Sequence, residues 1–380
     1  VLPAMLSAVI LTFSKAIGTF GVINYLGSKV NFVTLSSQLY MNINSRDTQT
    51  GFAMAILMII IASIAVFVNQ KLIGSRKSYA TIGGKGGRST PIRLGKHKLL
   101  ITAVLFLFFV FGIIMPIALL ILESFMLRQG DYSLSNLTLH YWIGDPIATV
   151  MEGQPGIFKN ANFINSLINS LKLTFVNGVF GTIFGQIIGY ICAKGRGKLH
   201  GKLVEQLVFI PYLIPSVAFG GIYLSMFSQP QQIFGVTLVP ALYGTFALLT
   251  LVSVVKHLPF AARAGTSNML QISGELEEAA TIEGAGFFRR FVKIVFPLSK
   301  GGFISGFMLI FVSIMKELDL IILIMTPTTS TLPYLAFRYQ NGNSPQASDC
   351  VAIVMFSIVF LVYAIANLSG KADLAKSMAG

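Results

Sequence analysis

The chain has 380 residues, of which 54% are hydrophobic and only 11% charged; soluble domains carry nearer a quarter of charged residues, so an ordinary water-soluble fold is excluded and a bilayer is indicated. A net charge of +14 would suggest nucleic acid in a soluble protein. Here the basic residues cluster in short loops between apolar runs, with no basic groove and no aromatic-basic interleaving, so no nucleic-acid partner is expected.

A helix needs about 20 apolar residues to cross a hydrocarbon core of ~30 Å. Eight segments qualify, near 4–26, 52–73, 99–124, 167–192, 204–227, 237–255, 301–325 and 350–368. The expected fold class is an all-α membrane protein with eight transmembrane helices. The chain opens Val1-Leu2-Pro3, without Met, a basic n-region or a small-residue cleavage site, which reads as a start in mid-domain rather than as a signal peptide. The first two spans look like a copy of the last two. An offset of 298 pairs Ser7 with Ser305, Leu11 with Leu309 and Phe13 with Phe311; an offset of 297 pairs Thr34-Leu35 with Thr331-Leu332 and Met58 with Met355. Such self-similarity predicts a duplicated unit. Segment 1–74 is then the end of a first unit, 75–98 a linker, 99–372 a complete six-helix unit containing loop 256–300, and 373–380 a tail. Four spans and a first copy of the loop are expected upstream.

Loop 74–98 carries Arg76, Lys77, Lys85, Arg88, Arg93, Lys96 and Lys98 with no acid, and loop 193–202 carries Lys194, Arg196, Lys198 and Lys202. Both should face the cytoplasm. Threading the spans from these anchors places 27–50, 126–166, 228–236 and 326–349 outside, and 256–300 and the C-terminal tail inside. The linker glycines do not make a phosphate loop, because Gly87-Arg88-Ser89-Thr90 lacks the Lys and the strand and helix flanks. The linker reads as a flexible basic tether, with contact to anionic lipid a minor role.

In the outer loop 126–166, Trp142 stands beside Tyr141, with Asp131, Asp145 and Glu152 nearby. Docking of an extracytoplasmic protein and interfacial anchoring by the aromatics are the two readings. His140 and its neighbouring acids lack metal-ligand spacing. Cys192 and Cys350 fall on opposite sides of the membrane, so no disulfide is expected. Pro211, Pro215, Ser216 and the Gly220-Gly221 pair interrupt the fifth span. Broken helices are tolerated where backbone lines a cavity, and a simple Pro kink is the rival reading. In the seventh span, Lys316, Glu317 and Asp319 lie roughly 22–27 Å from Gly301 along a helix, toward the outer boundary. They are either an interfacial cluster with Lys316 and Asp319 paired at i,i+3 or a gate in a translocation path. Their counterparts in the first unit are Gly18, Thr19 and Gly21.

Between the sixth and seventh spans, Glu275, Glu277, Glu278 and Glu283 come early and Arg289, Arg290 and Lys293 late, an order that suits a helix dipole. Gly284 can end a short helix and turn. By composition alone this is a solvated amphipathic helix or a docking helix. Glu278-Ala279-Ala280, Gly284, Ile294 and Pro297 fit E-A-A-x3-G-x9-I-x-L/F-P, with Phe296 where Leu is usual. This pattern resembles the cytoplasmic signature of ABC-importer permeases, and its place between the fourth and fifth helices of a six-helix unit is the family's too.

The resemblance implies a type I importer unit preceded by the last two helices of a second permease unit, in a bacterial inner membrane. Glu278, Ala279, Ala280, Gly284, Ile294 and Pro297 would couple it to a dimeric ABC ATPase, which holds ATP and Mg; this chain itself would bind no cofactor and be no enzyme. An extracytoplasmic binding protein would deliver solute to a path for which Pro211, Pro215, Ser216, Lys316, Glu317 and Asp319 are the candidates. Fused two-unit permeases are similar to those for ferric iron, with thiamine, phosphonate and polyamine relatives, and the run Tyr79 to Arg88 resembles the iron-type branch. The rival class is an ion-coupled secondary transporter, which favours inverted repeats and charges at the midplane; here the copies run parallel and charges look scarce at depth. A membrane enzyme finds no activated nucleophile or His-Glu cluster.

Overall fold

A computed structural model describes residues 12–13, 16–28, 30–74 and 95–368; most of the linker, the start of the first expected span and the tail lie outside them. Among the described residues the principal helices are α1 Gly21–Ser28, α2 Leu35–Asn44, α3 Thr48–Gly74, α4 Lys98–Phe109, α5 Met115–Ser124, α6 Ala161–Lys194, α7 Leu199–Leu213, α8 Ser216–Phe227, α9 Phe246–Met269, α10 Gly274–Ile282, α11 Lys300–Met315, α12 Leu332–Asn341 and α13 Pro345–Leu368. Among the described residues five helical segments are long and apolar enough to cross a membrane, or up to seven if each of two bent pairs counts as one span. The fold is mostly helical and multi-pass, as expected, and the described residues do not confirm the count of eight spans.

Four of the expected spans differ in instructive ways. The first breaks at Thr19 and Phe20 before α1. The fifth divides into α7 and α8, bent by 97°, because Pro215 has no N–H and its ring forces Ile214 out of the helical region, to φ −74°, ψ 130°. The sixth was expected over 237–255 but is α9, displaced toward Met269. Residues 237–239 belong to a hairpin of β1 Gln231–Ile233 and β2 Val236–Val239. Hydropathy misplaced this span because the hairpin is apolar while the second half of α9 carries Lys256, His257 and Arg263. The seventh stops at Met315, and Leu320 to Met325 run on as buried turns. Irregular backbone at membrane depth survives only inside protein, and these turns are enclosed.

The internal repeat is visible in the element boundaries. α2 (Leu35–Asn44) and α12 (Leu332–Asn341) begin and end at matching offsets, each preceded by a threonine, Thr34 and Thr331. α3 and α13 start at matching offsets as well.

Three apolar clusters hold the helices. One joins Leu173, Leu248, Val252, Ile310 and Ile314 of α6, α9 and α11. A second joins Phe20, Leu39 and Met58 of the N-terminal segment to Val217 and Ala218 of α8. A third lies under the outer loop, where Tyr141, Ile157 and Phe163 pack with Leu332, Leu335 and Val351. Trp142 is half-buried, stacked between Phe125 and Phe158, and the Tyr141 hydroxyl donates to the Leu127 carbonyl at 3.1 Å. The two aromatics thus build a folded cap over the membrane helices, a role that neither sequence reading anticipated. Cys192 and Cys350 are buried and unpaired.

Lipid offers no hydrophobic drive for helix association, so close packing must supply it. α6 and α9 meet through glycines: a Cβ on Gly265 would sit 2.6 Å from the Gly185 carbonyl oxygen, and one on Gly189 would strike the Gly265 backbone. Gly189→Val should therefore separate the two helices and cost about 1–3 kcal/mol or more, read as a lower thermal-unfolding midpoint in detergent. Gly112→Ala, at a position with open space around it, should leave that midpoint unchanged.

Candidate functional site

The loop after α9 folds as the sequence suggested and begins earlier. Ser273 caps α10, its side chain accepting from Glu275 N–H at 3.3 Å. Glu275 and Glu277 lie in the first turn, where negative charge offsets the helix dipole. At the far end Gly284 takes φ +80°, its N–H donates to the Thr281 carbonyl at 3.0 Å, and Ala285 N–H donates to Ala280 at 2.9 Å. This paired closure requires a left-handed residue, hence glycine.

α10 has two unlike sides. Glu278, Ala279, Ile282 and Gly284 are exposed, and Ala280 is half-buried. Glu277 is buried, with Oε1 2.7 Å from Lys194 Nζ and Oε2 accepting from the Tyr190 hydroxyl at 2.7 Å. Burial opposes ionisation of Glu277, but the hydrogen bonds from Lys194 and Tyr190 outweigh it and hold the carboxyl below its ordinary range. Its contribution to stability is complete above the ordinary carboxylate range and is lost as pH falls through the depressed value. The chain then passes through a π turn, Phe291–Val295, just before Pro297, and bends by 73° into α11. Ile294 is half-buried and Pro297 exposed at this elbow. Asn268 at the end of α9 pins the elbow by donating to the Ser299 carbonyl at 2.8 Å.

The second polar site lies where the helix breaks meet. Pro215, Ser216, Lys316, Glu317 and Asp319 line a cavity of about 360 Å³ together with Lys256 and His257, which the sequence reading had assigned to a cytoplasmic loop. The lysine is there for a backbone reason. Pro215 offers no N–H to the Pro211 carbonyl, and the Ile214 carbonyl precedes the start of α8, so both acceptors are left over. Lys256 Nζ donates to Pro211 at 2.9 Å and to Ile214 as well, seating a cation on the C-terminal end of α7.

His257 donates from Nδ1 to the Ser253 carbonyl at 2.9 Å, which can only accept, and turns Nε2 toward Glu317 Oε2 at 3.5 Å. Glu317 Oε1 accepts from Leu320 N–H at 3.0 Å. Asp319 does not pair with Lys316, contrary to the i,i+3 expectation. Its two oxygens accept from Phe20 N–H at 3.1 Å and Gly21 N–H at 2.9 Å. Gly21 is Asp319's own counterpart in the repeat, so the two equivalent breaks are clamped face to face. Lys256 and His257 sit about 15 Å from the Phe246 end of α9, near the middle of that 24-residue helix. The cluster thus lies level with the middle of α9, whereas counting along an unbroken seventh span had set it toward that span's outer end. Among the described residues no group of three or more His, Cys, Asp or Glu could hold a metal ion.

This is a multi-pass membrane fold with a capped, partly exposed helix in the loop after α9 and a polar junction where the helix breaks meet. Residues 181–372 match the family described as "Binding-protein-dependent transport system inner membrane component", and the chain belongs to that family, as an inner-membrane permease of the ABC-importer class. It is 24% identical over 388 aligned positions to the ferric transport system permease protein FbpB of Actinobacillus pleuropneumoniae, an alignment covering 99% of this chain and 52% of that protein. The chain thus spans about half the length of that relative. It is 25% identical to the sulfate transport system permease protein CysT of a Synechocystis strain, over 55% of this chain and 72% of the relative. A crystal structure of a bacterial ABC transporter involved in import of the acidic polysaccharide alginate superposes with a TM-score of 0.56 at 18% identity, over 72% of this chain and 96% of the other, which shows a shared fold.

Asp319→Ala should strand the N–H groups of Phe20 and Gly21, at about 1–3 kcal/mol each, and lower the detergent unfolding midpoint. Asp319→Asn keeps one acceptor and should lose about half as much. Equal midpoints for the native chain and Asp319→Ala would contradict the clamp.

Proposed function

We propose that the chain forms the translocation path of an ABC importer and couples ATP hydrolysis on a separate ATPase dimer to solute uptake. The observation that carries this reading is α10: a capped helix whose Glu278, Ala279 and Ile282 side is exposed while Glu277 ties the opposite side to α6. Small and acidic residues on a rigid, presented helix suit a cleft in a second protein. In this reading residues 1–74 close a first permease unit, 75–98 tether it, and 99–372 form the second unit. The exposed acids of the outer cap, Asp131 and Asp145, face the side on which a binding protein would deliver cargo. The polar junction of Pro211, Pro215, Ser216, Lys316, Glu317 and Asp319 is the gate, and parting the clamped breaks opens it.

Ferric iron is the proposed cargo. The support is collinearity: the ferric-system relative aligns with 99% of this chain, first spans and linker included, and the sulfate-system relative with 55%. The clustered charges at depth are the one observation that favours an ion-coupled carrier, and against it each of these charges has a backbone or partner to satisfy in the closed junction, save Lys316.

In the complete importer reconstituted in proteoliposomes, Glu278→Ala and Gly284→Pro should abolish ATP-dependent uptake while membrane insertion stays normal. Proline fixes φ near −65°, so it rejects the φ of +80° at residue 284. Ordinary uptake by both variants would refute the coupling role. Competition of ferric uptake by thiamine, phosphonate, polyamine or sulfate reports the cargo.

A further inference from the structure

We infer that α6 is the rod that carries displacement of α10 across the membrane to the outer cap, with Glu277, Lys194 and Tyr190 as the positioning residues that fasten its inner end. This rests on the reading that α10 engages an ATPase. The inner fastening is an ion pair at 2.7 Å between the exposed Lys194 and the buried Glu277, and a hydroxyl hydrogen bond at 2.7 Å, reinforced by the Tyr190 ring packed edge-on against Phe287 and Phe291. Arg290 locks the same turn from behind, donating to the Thr281 hydroxyl at 2.8 Å and the Ala285 carbonyl at 3.1 Å. α10, its exit turn and the end of α6 therefore move as one body.

The outer end of α6 is fastened as firmly. Ser166 bonds Ser330 through their hydroxyls at 2.9 Å, Ser170 Oγ accepts from Leu332 N–H at 2.8 Å, and Asn169 donates to the Thr328 and Ser330 carbonyls at 3.1 and 3.0 Å. Asn160, which caps α6, reaches the Tyr339 hydroxyl at 3.3 Å. These partners belong to α12 and the turns leading into it, which pack beneath the outer cap.

Of the three helices that meet the loop region, α6 is the longest and has no proline. It runs 34 residues with no proline, about 50 Å at 1.5 Å per residue. α11 is covalently closer to α10, but it is bent by 73° at its start and ends after 16 residues at the polar junction. α9 contains Pro259. A push on α10 thus reaches the cap through α6 while α11 and α7 hinge at their breaks.

The test uses the complete importer with its ATPase and loaded binding protein in proteoliposomes. Tyr190→Phe, Lys194→Met and, at the far end, Ser170→Ala are each expected to retain the ATPase through purification. Stimulation of hydrolysis by loaded binding protein, and uptake, should fall about tenfold in Tyr190→Phe and Lys194→Met, the worth of one hydrogen bond to a charged group, and about threefold in Ser170→Ala, which loses a neutral one. Exchange of the pair, Glu277→Lys with Lys194→Glu, should restore most of the stimulation that Lys194→Met loses, a rescue that a merely packed contact would not give. Normal stimulation in Tyr190→Phe and Lys194→Met overturns the inference. So does loss of the ATPase in proportion to loss of uptake, which would make these residues part of the docking face. Failure of the native chain to retain an ATPase at all would overturn the docking reading, and the rod with it.

Discussion

Every interruption of a helix inside a bilayer leaves backbone donors and acceptors that no water can satisfy, and this chain gathers its interruptions in one place so that each completes another. Pro215 frees two carbonyls and Lys256 takes them. The break before α1 exposes two N–H groups and Asp319 takes those. Glu317 closes the turn after α11 and holds His257. Charges that would each be costly alone are retained because they cap backbone ends. In the proposed gating role the same economy serves switching: shifting α7 against α9, or the N-terminal segment against α11, would uncap several groups at once, so intermediate positions would be disfavoured against two discrete arrangements.

The loop at the other end follows a complementary logic. Consecutive residues on a helix point about 100° apart, so Glu277 and Glu278 carry opposite duties within one turn. One is buried against Lys194 and Tyr190 and the other is presented outward. A helix held this way transmits force instead of rolling under it. The proposed division of labour is that the exposed side meets a motor, the buried side grips α6, and the clamped breaks yield.

Much of this was legible in the sequence because it is written in local chemistry. Apolar runs located the membrane helices, the paired threonines at Thr34 and Thr331 marked the repeat, and the early acids and Gly284 marked α10, whose start at the Ser273 cap came from the structure. The misses share one cause. Hydropathy averages over a window, so it took residues 237–239 of the hairpin for membrane and ejected Lys256 and His257 from it, although Lys256 satisfies carbonyls released 45 and 42 residues away and His257 turns toward Glu317. Asp319 was given its nearest sequence neighbour, Lys316, when its partners lie 298 and 299 positions distant. Glu277 was overlooked beside the motif residue Glu278, though a second acid one step round the helix, with basic Lys194 ending a neighbouring span, was a readable sign of an inward anchor.

The central claim is that the exposed side of α10 stands free on the cytoplasmic face. It is tested most directly by placing a cysteine at Ala279 in a background where the buried Cys192 and Cys350 are replaced by alanine, and labelling with a membrane-impermeant thiol reagent. Inverted vesicles should label rapidly, right-side-out vesicles should not, and bound ATPase should protect the site. Labelling from the outside, or from neither side, would contradict the account.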